Sequence, residues 1–279
     1  MATDSERLFP GKFFISSALE ALETKAAMSK ELSVRYLQRA AIAGVLIAIF
    51  YGAYFSTIAT FGAISIGQTP LTGVGKLVGA LVFGWALVFI YFTKSELLTS
   101  NMMVAAIGVY YRRVRWRRAL RMLGLCLIGN FLGGLLVATL VRFSTLASGP
   151  VLAEMEHAVS IKLGYITAGP LGWSDLLVRA IFCNLMINVA MLLVYNGYIK
   201  DDLTKSLAMI MSVFIFAFLG LEHSVANTIL FTIVGFKSGI DVGLAAANVA
   251  FALVGNFIGG GVLIGLYYAY VNDDSSFRK

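Results

Sequence analysis

From residue 40 to residue 75 the chain carries no charged side chain. A run of that length can hold a membrane-crossing helix, which needs about 20 apolar residues. Further predominantly apolar stretches follow at 77–93, 97–111, 122–141, 176–197, 206–221, 224–236 and 242–271. With 59% hydrophobic and 13% charged residues in a chain of 279, a soluble fold could not bury so much apolar surface. The sequence therefore describes an all-α integral membrane protein. A net charge of +7 can signal nucleic acid, but here the basic residues sit beside the apolar runs. Arg112, Arg113, Arg115, Arg117, Arg118 and Arg121 share one short connection, the pattern of a cytoplasmic anchor, so no nucleic-acid partner is expected. Cys126 and Cys183 fall inside apolar segments and indicate neither a disulfide framework nor a metal site. No metal-ligand spacing, phosphate loop or nucleophile triad is present, so no enzyme and no cofactor is expected.

Taken in order, residues 1–39 read as an amphipathic segment at the membrane interface. Phe13, Phe14, Leu19, Leu22 and Ala26 recur at roughly helical spacing among charges. No cleavable signal peptide is expected there. Residues 40–271 form a six-span unit built of two repeats, about 40–141 and 176–271, and 272–279 form a tail. Spans are expected at about 40–64, 77–111, 122–141, 176–197, 204–236 and 242–271, with a polar loop at 142–175. The arginine-rich connection, the Lys200–Lys205 loop and both termini share one side, which the positive-inside rule assigns to the cytoplasm. The expected location is the cell (cytoplasmic or inner) membrane, in contact with lipid.

Two of the spans are interrupted by charge. Lys94 and Glu96 break the second, and Glu222 with His223 breaks the fifth. Ionisable groups at bilayer depth are costly and mark ion or substrate paths. The breaks are related. Glu96 and Asn101 recur as Glu222 and Asn227 at an offset of 126, and Gly129-Asn130-Phe131 with Gly133-Gly134 recurs as Gly255-Asn256-Phe257 with Gly259-Gly260 at the same offset. Each half thus holds three spans with a broken middle one. Three is odd, so the second half enters from the opposite side and the repeat is inverted, placing a site near the midplane. Glu96 and Glu222 are expected to bond backbone N–H groups freed by the breaks. Adjacent helical residues do not share a face, so Glu222 should point away from the path that His223 faces. Asn101, Asn227, Asn130 and Asn256 should tie the broken segments down.

These features together resemble the formate/nitrite transporter family over residues 12 to 271. The resemblance rests on Glu96-Leu97-Leu98-Thr99-Ser100-Asn101, Arg179-Ala180-Ile181-Phe182-Cys183-Asn184, Glu222-His223-Ser224-Val225-Ala226-Asn227 and the two Gly-Asn-Phe-x-Gly-Gly stretches. It implies an aquaporin-like six-helix fold, a homopentamer with one pore per protomer, and passage of small monovalent anions or their acids: formate, nitrite, lactate, acetate or hydrosulfide. It also implies a substrate pathway of His223, Thr99, Asn256 and the vestibule lysine Lys162, with apolar constrictions at Phe83, Leu87, Leu98 and Phe216.

Solvation suggests how such a path works. A bare carboxylate in a low-dielectric throat faces a penalty on the order of tens of kcal/mol and tends to neutralise by taking a proton. Protons are thus expected as a co-substrate, with neutralisation at the central histidine. The competing class is an aquaporin-type channel for neutral solutes. The four prolines, at 10, 70, 150 and 170, place no Asn-Pro-Ala motif at either break. A membrane enzyme or signalling anchor is the other alternative, with the arginine-rich loop as its docking point.

Overall fold

The computed structural model describes residues 7–275. Helix α1 (Lys12–Glu31) buries Phe14, Ala18, Leu22 and Ala26 along one stripe, the four-residue spacing of an amphipathic helix. It packs beneath α2 (Ser33–Gly62), α4 (Leu98–Tyr110) and α5 (Trp116–Arg142). A short hairpin, β1 (Ser65–Ile66) and β2 (Thr69–Pro70), leads from α2 into α3 (Thr72–Phe92). Gly67, at φ 63°, makes its turn. The second half begins with α6 (Gly149–Thr167) and α7 (Pro170–Tyr195). It continues with α8 (Asp202–Phe218) and α9 (Ser224–Ser238) and ends with α10, one helical path over Val242–Val271.

Five of these helices, α2, α3, α5, α7 and α10, are each long and apolar enough to cross a membrane. The remaining pass is divided between α8 and α9, of 17 and 15 residues. Likewise α3 is followed by a second piece, the 13-residue α4. Packing repeats between the halves: α2 lies against α3 and α5, and α7 against α8 and α10. The half-helices cross over, with α4 running along α10 and α9 along α5.

Glycine makes the tightest of these contacts possible. A Cβ on Gly133 would lie 1.8 Å from the Ala41 carbonyl oxygen, and one on Gly259 would lie 2.0 Å from that of Ile181. No side chain fits at either crossing, so the repeated glycines let α5 approach α2 and α10 approach α7.

Three features depart from the sequence expectation. The stretch 142–175, read as a polar loop, contains the 19-residue helix α6. Only Met155, Val159 and Lys162 are buried on it, so its apolar stripe is too thin to stand out. Pro150 at its first turn is a helix-starting position. Helices α1 and α6, left outside the expected repeats at 40–141 and 176–271, pack in matching ways: α1 against α2, α4 and α5, and α6 against α7, α9 and α10. Finally, α10 is a π-helix over Phe257–Leu266, whereas α5 is α-helical throughout.

Candidate functional site

The site is built where α3 gives way to α4 and α8 to α9. In both places one residue adopts left-handed backbone, Lys94 at φ 57° and Gly220 at φ 64°, at the repeat offset. The irregular backbone is then pinned by matching asparagines. Asn130 Oδ1 accepts the Leu98 N–H at 3.0 Å, while its Nδ2 donates to the carbonyls of Ala40 and Glu96, both at 2.8 Å. Asn256 does the same with the Ser224 N–H at 2.9 Å and the carbonyls of Ala180 and Glu222 at 2.8 and 2.9 Å. Non-helical backbone inside a membrane protein requires such internal partners. Asn256, expected on the substrate pathway, is thus committed to the scaffold, and it does not line the cavities described below.

Each break presents a buried carboxylate to a lysine from the amphipathic helix of its own half. Glu96 pairs with Lys25 of α1, lies 3.4 Å from Arg39 and accepts from Asn101 Nδ2 at 3.1 Å. Glu222 accepts from Lys162 Nζ of α6 at 2.8 Å and from Asn227 Nδ2 at 2.5 Å. The Asn248 amide links Asn227 to the Lys162 carbonyl, both at 2.9 Å. This corrects the expectation for the glutamates. Their carboxylates bond side-chain cations and amides rather than freed N–H groups, and Glu222 faces a vestibule instead of turning away. Non-helical backbone between Leu219 and His223 removes the helical geometry on which that expectation rested. Lys25 and Arg39 were missed. Their counterparts Lys162 and Arg179 lie at offsets of 137 and 140, not 126, so the repeat does not reveal them.

His223 closes the N-terminus of α9. Its Nδ1 accepts the Ala226 N–H at 3.1 Å, and its Nε2 lies 3.1 Å from Thr99 Oγ1 near the start of α4. A backbone N–H can only donate, so Nδ1 carries no proton in this arrangement. The neutral ring therefore holds its proton on Nε2 and donates it to Thr99. The Thr99 carbonyl is fixed by Nδ2 of Asn184 and of Asn188 at 3.1 and 3.2 Å. Two half-helices thus start at the centre, each bringing the positive end of its dipole.

Three cavities lead to and from this point. A vestibule of about 150 Å³ is lined by Lys162, Glu222, Tyr51, Phe83, Phe216 and His223, among others. A second, of about 540 Å³, is lined by Lys25, Arg39, Lys94, Glu96, Leu87 and Ile90, among others. Between them is a chamber of about 20 Å³ that shares Phe83, Phe216 and His223 with the first vestibule and Leu87 and Ile90 with the second. Its other walls are Ile47, Ala86, Leu97, Ile187 and Val213, so His223 is its one polar lining residue. The rings of Phe83 and Phe216 meet edge to face at 6.0 Å, and Phe216 stacks on His223 at 5.9 Å. The constriction expected at Leu98 is formed by its neighbour Leu97, because Leu98 is already the first residue of α4 and is buried away from the chamber.

Comparison with known proteins agrees with this arrangement. A match to the formate/nitrite transporter family spans residues 14–270. The chain is 27% identical over 269 residues to a probable formate transporter of Methanothermobacter thermautotrophicus, covering 91% of this chain and 93% of that one. It is 28% identical over 228 residues to the formate channel FocA of Haemophilus influenzae, with 71% and 75% covered. It is 28% identical over 214 residues to the nitrite transporter NirC of Salmonella typhimurium, with 76% and 77% covered. Among solved structures, an FNT family ion channel superposes with a TM-score of 0.77 at 23% identity, covering 92% of this chain and 98% of that one. A pentameric formate channel with formate bound gives 0.68 at 20%, with 87% and 98% covered. The protein is therefore a multi-pass membrane protein with the channel fold of that group, and a transporter or channel rather than an enzyme. The chain belongs to the formate/nitrite transporter family of anion channels and transporters.

Proposed function

We propose that this protein passes small monocarboxylate-type anions, formate among them, as their neutral acids. One observation carries the reading: the vestibules meet in a chamber of about 20 Å³, room for one water, with a single polar lining residue. A permeant must shed its hydration there. An anion stripped of water in apolar surroundings meets a penalty on the order of tens of kcal/mol, which a proton removes. Lys162 and Lys25 hold anions in the two vestibules, Phe83, Leu87 and Phe216 with Leu97 strip the water, and at the centre His223 turns its Nε2–H to the permeant from Thr99, which itself lines none of the three cavities. The permeant takes its proton from hydronium in the vestibule, leaving water behind. His223 would have to give up its bond to the Ala226 N–H before its Nδ1 could carry a second proton.

The relatives include a pentameric channel, and we extend that assembly to this chain, with one path per protomer. Residues 7–39 then lie at the cytoplasmic interface, 40–271 in and across the cell membrane, and 272–275 at the start of a cytoplasmic tail; residues 1–6 and 276–279, assigned to the same segments by the sequence, lie outside the described residues. The N- and C-terminal regions support a shared side, since the Gly11 N–H donates to Asn272 Oδ1 at 2.7 Å. The arginine-rich loop next to α1 supports calling that side cytoplasmic. Uptake of radiolabelled formate by proteoliposomes, minus protein-free vesicle flux, tests the reading. Uptake rises as external pH falls, and glycerol gives no swelling. Glycerol flux with formate excluded would instead support a neutral-solute channel, and a flat pH profile would remove the proton.

A further inference from the structure

The Lys162-side vestibule holds a phenol that no protein group uses, and we infer that the Tyr51 hydroxyl takes the permeant over from Lys162 and passes it to the chamber. This rests on the anion-path reading above. The other polar groups on that wall are engaged or unsuited. Lys162 donates to Glu222 at 2.8 Å, and Asn227 donates to Glu222 at 2.5 Å and to Asn248 at 2.9 Å. His223 is held between the Ala226 N–H and Thr99. Lys76 and His157 are exposed, and Glu154 is a carboxylate, which repels an anion. The phenols of Tyr51, Tyr54 and Tyr165 remain.

Of these, Tyr51 packs tightest on the throat. Its ring lies 5.1 Å from that of Phe83, which lines both the vestibule and the chamber. Tyr54 lies 6.3 Å from the same ring, and Tyr165 turns its face to the Arg179 guanidinium at 5.6 Å. Phe55 at 4.8 Å and Tyr54 at 5.7 Å also grip the Tyr51 ring. The ring is thus fixed, while its hydroxyl makes no hydrogen bond to a described residue. Nor is the hydroxyl sealed in: the buried side-chain polar atoms without a partner among the described residues are Asn188 Oδ1 and Ser224 Oγ. An enclosed tyrosine normally finds a partner for its O–H. Here the cavity that Tyr51 lines supplies it.

The repeat marks the same position. Helices α2 and α7 correspond at an offset of 140, since the carbonyls of Ala40 and Ala180 accept from Asn130 and Asn256. Tyr51 then corresponds to Met191, which lines the Lys25-side vestibule. One entrance has a hydroxyl where the other has a thioether, a weak acceptor with no proton to donate. An ammonium only donates, whereas a hydroxyl donates and accepts. Tyr51 donates to a carboxylate oxygen as the anion sheds its water, and accepts the O–H once that oxygen is protonated.

Equilibrium exchange of radiolabelled formate, at equal concentrations inside and outside proteoliposomes, reads a half-saturation concentration whichever way the channel is inserted. At about pH 7.5 the carboxylic acid enters the vestibule as its anion. Tyr51→Phe keeps the ring contacts and removes the hydroxyl. It should raise the half-saturation concentration about tenfold, as expected for a hydrogen bond to a charged group, and change the maximal exchange rate little. Tyr54→Phe should change neither. An unchanged half-saturation concentration in Tyr51→Phe overturns the assignment, as does an equal shift in Tyr54→Phe. The pH profile of the unsubstituted protein reports permeant protonation by itself, so a failure of the neutral-acid reading is seen separately.

Discussion

The two breaks share a scaffold and differ in what they put at its centre. Asn130 and Asn256 pin them identically, and each buries a glutamate against a lysine from its own amphipathic helix. At the repeat offset, however, Leu97 stands where the second break has His223, Lys94 stands where it has Gly220, and Arg39 adds a second cation to Glu96. Arg179, the counterpart of Arg39, is taken up by Asp175. The scaffold therefore makes a place for a path, and the departures from symmetry decide its chemistry. One break supplies an apolar wall and extra positive charge, the other the hydrogen-bonding group.

Erasing the central difference should have the largest effect on flux. His223→Leu copies the first break and leaves the chamber without a polar lining residue. Formate uptake should fall about 10- to 100-fold, as when a hydrogen bond is lost in a desolvated site. A variant that keeps normal uptake in correctly assembled vesicles would remove His223 from the path.

On stability, the ion pairs should have the largest effect. Lys162→Met leaves the Glu222 carboxylate buried with only Asn227 as partner, and breaking such a pair costs about 3–5 kcal/mol. Lys25→Met leaves Glu96 with Arg39 at 3.4 Å and Asn101, so it should cost about half as much. Thermal unfolding in detergent measures both, and a Lys162→Met/Glu222→Gln double variant should recover much of the loss. Equal effects of the two single lysine variants would show that Arg39 does not compensate.

Much of this was legible in the sequence, and what was not has physical reasons. The repeat was visible because the residues that pin the breaks cannot vary freely. Asn130 and Asn256 use Oδ1 and both Nδ2 hydrogens, and Gly133 and Gly259 face carbonyls too close for a Cβ. Helix α6 was hidden because its buried stripe includes Lys162, whose charge reads as solvent-facing until Glu222 is seen beside it. The π-helix leaves no sequence trace, since Phe257–Leu266 is apolar throughout. Leu98 is a constriction position by family resemblance alone, and its neighbour Leu97 takes that place because the helix start that turns one inward and the other away falls between them.

The smallest effects concern the left-handed residues. Lys94 holds φ 57° with a side chain, whereas its counterpart is glycine. Lys94→Gly should raise stability by about 1 kcal/mol and Gly220→Ala should lower it by about the same. A loss on Lys94→Gly would mean that the contact of its ammonium with the Tyr91 ring, at 4.8 Å, outweighs the strain.

The most direct test of the central claim is the voltage dependence of formate flux through the reconstituted protein, with pH fixed and a potassium diffusion potential imposed. An anion crossing the throat unprotonated gains or loses about 2.3 kcal/mol per 100 mV. A permeant neutral in the chamber beside His223 gives a flux unchanged between about 0 and about −100 mV. A flux that changes several-fold with that potential, and a matching current, would contradict it.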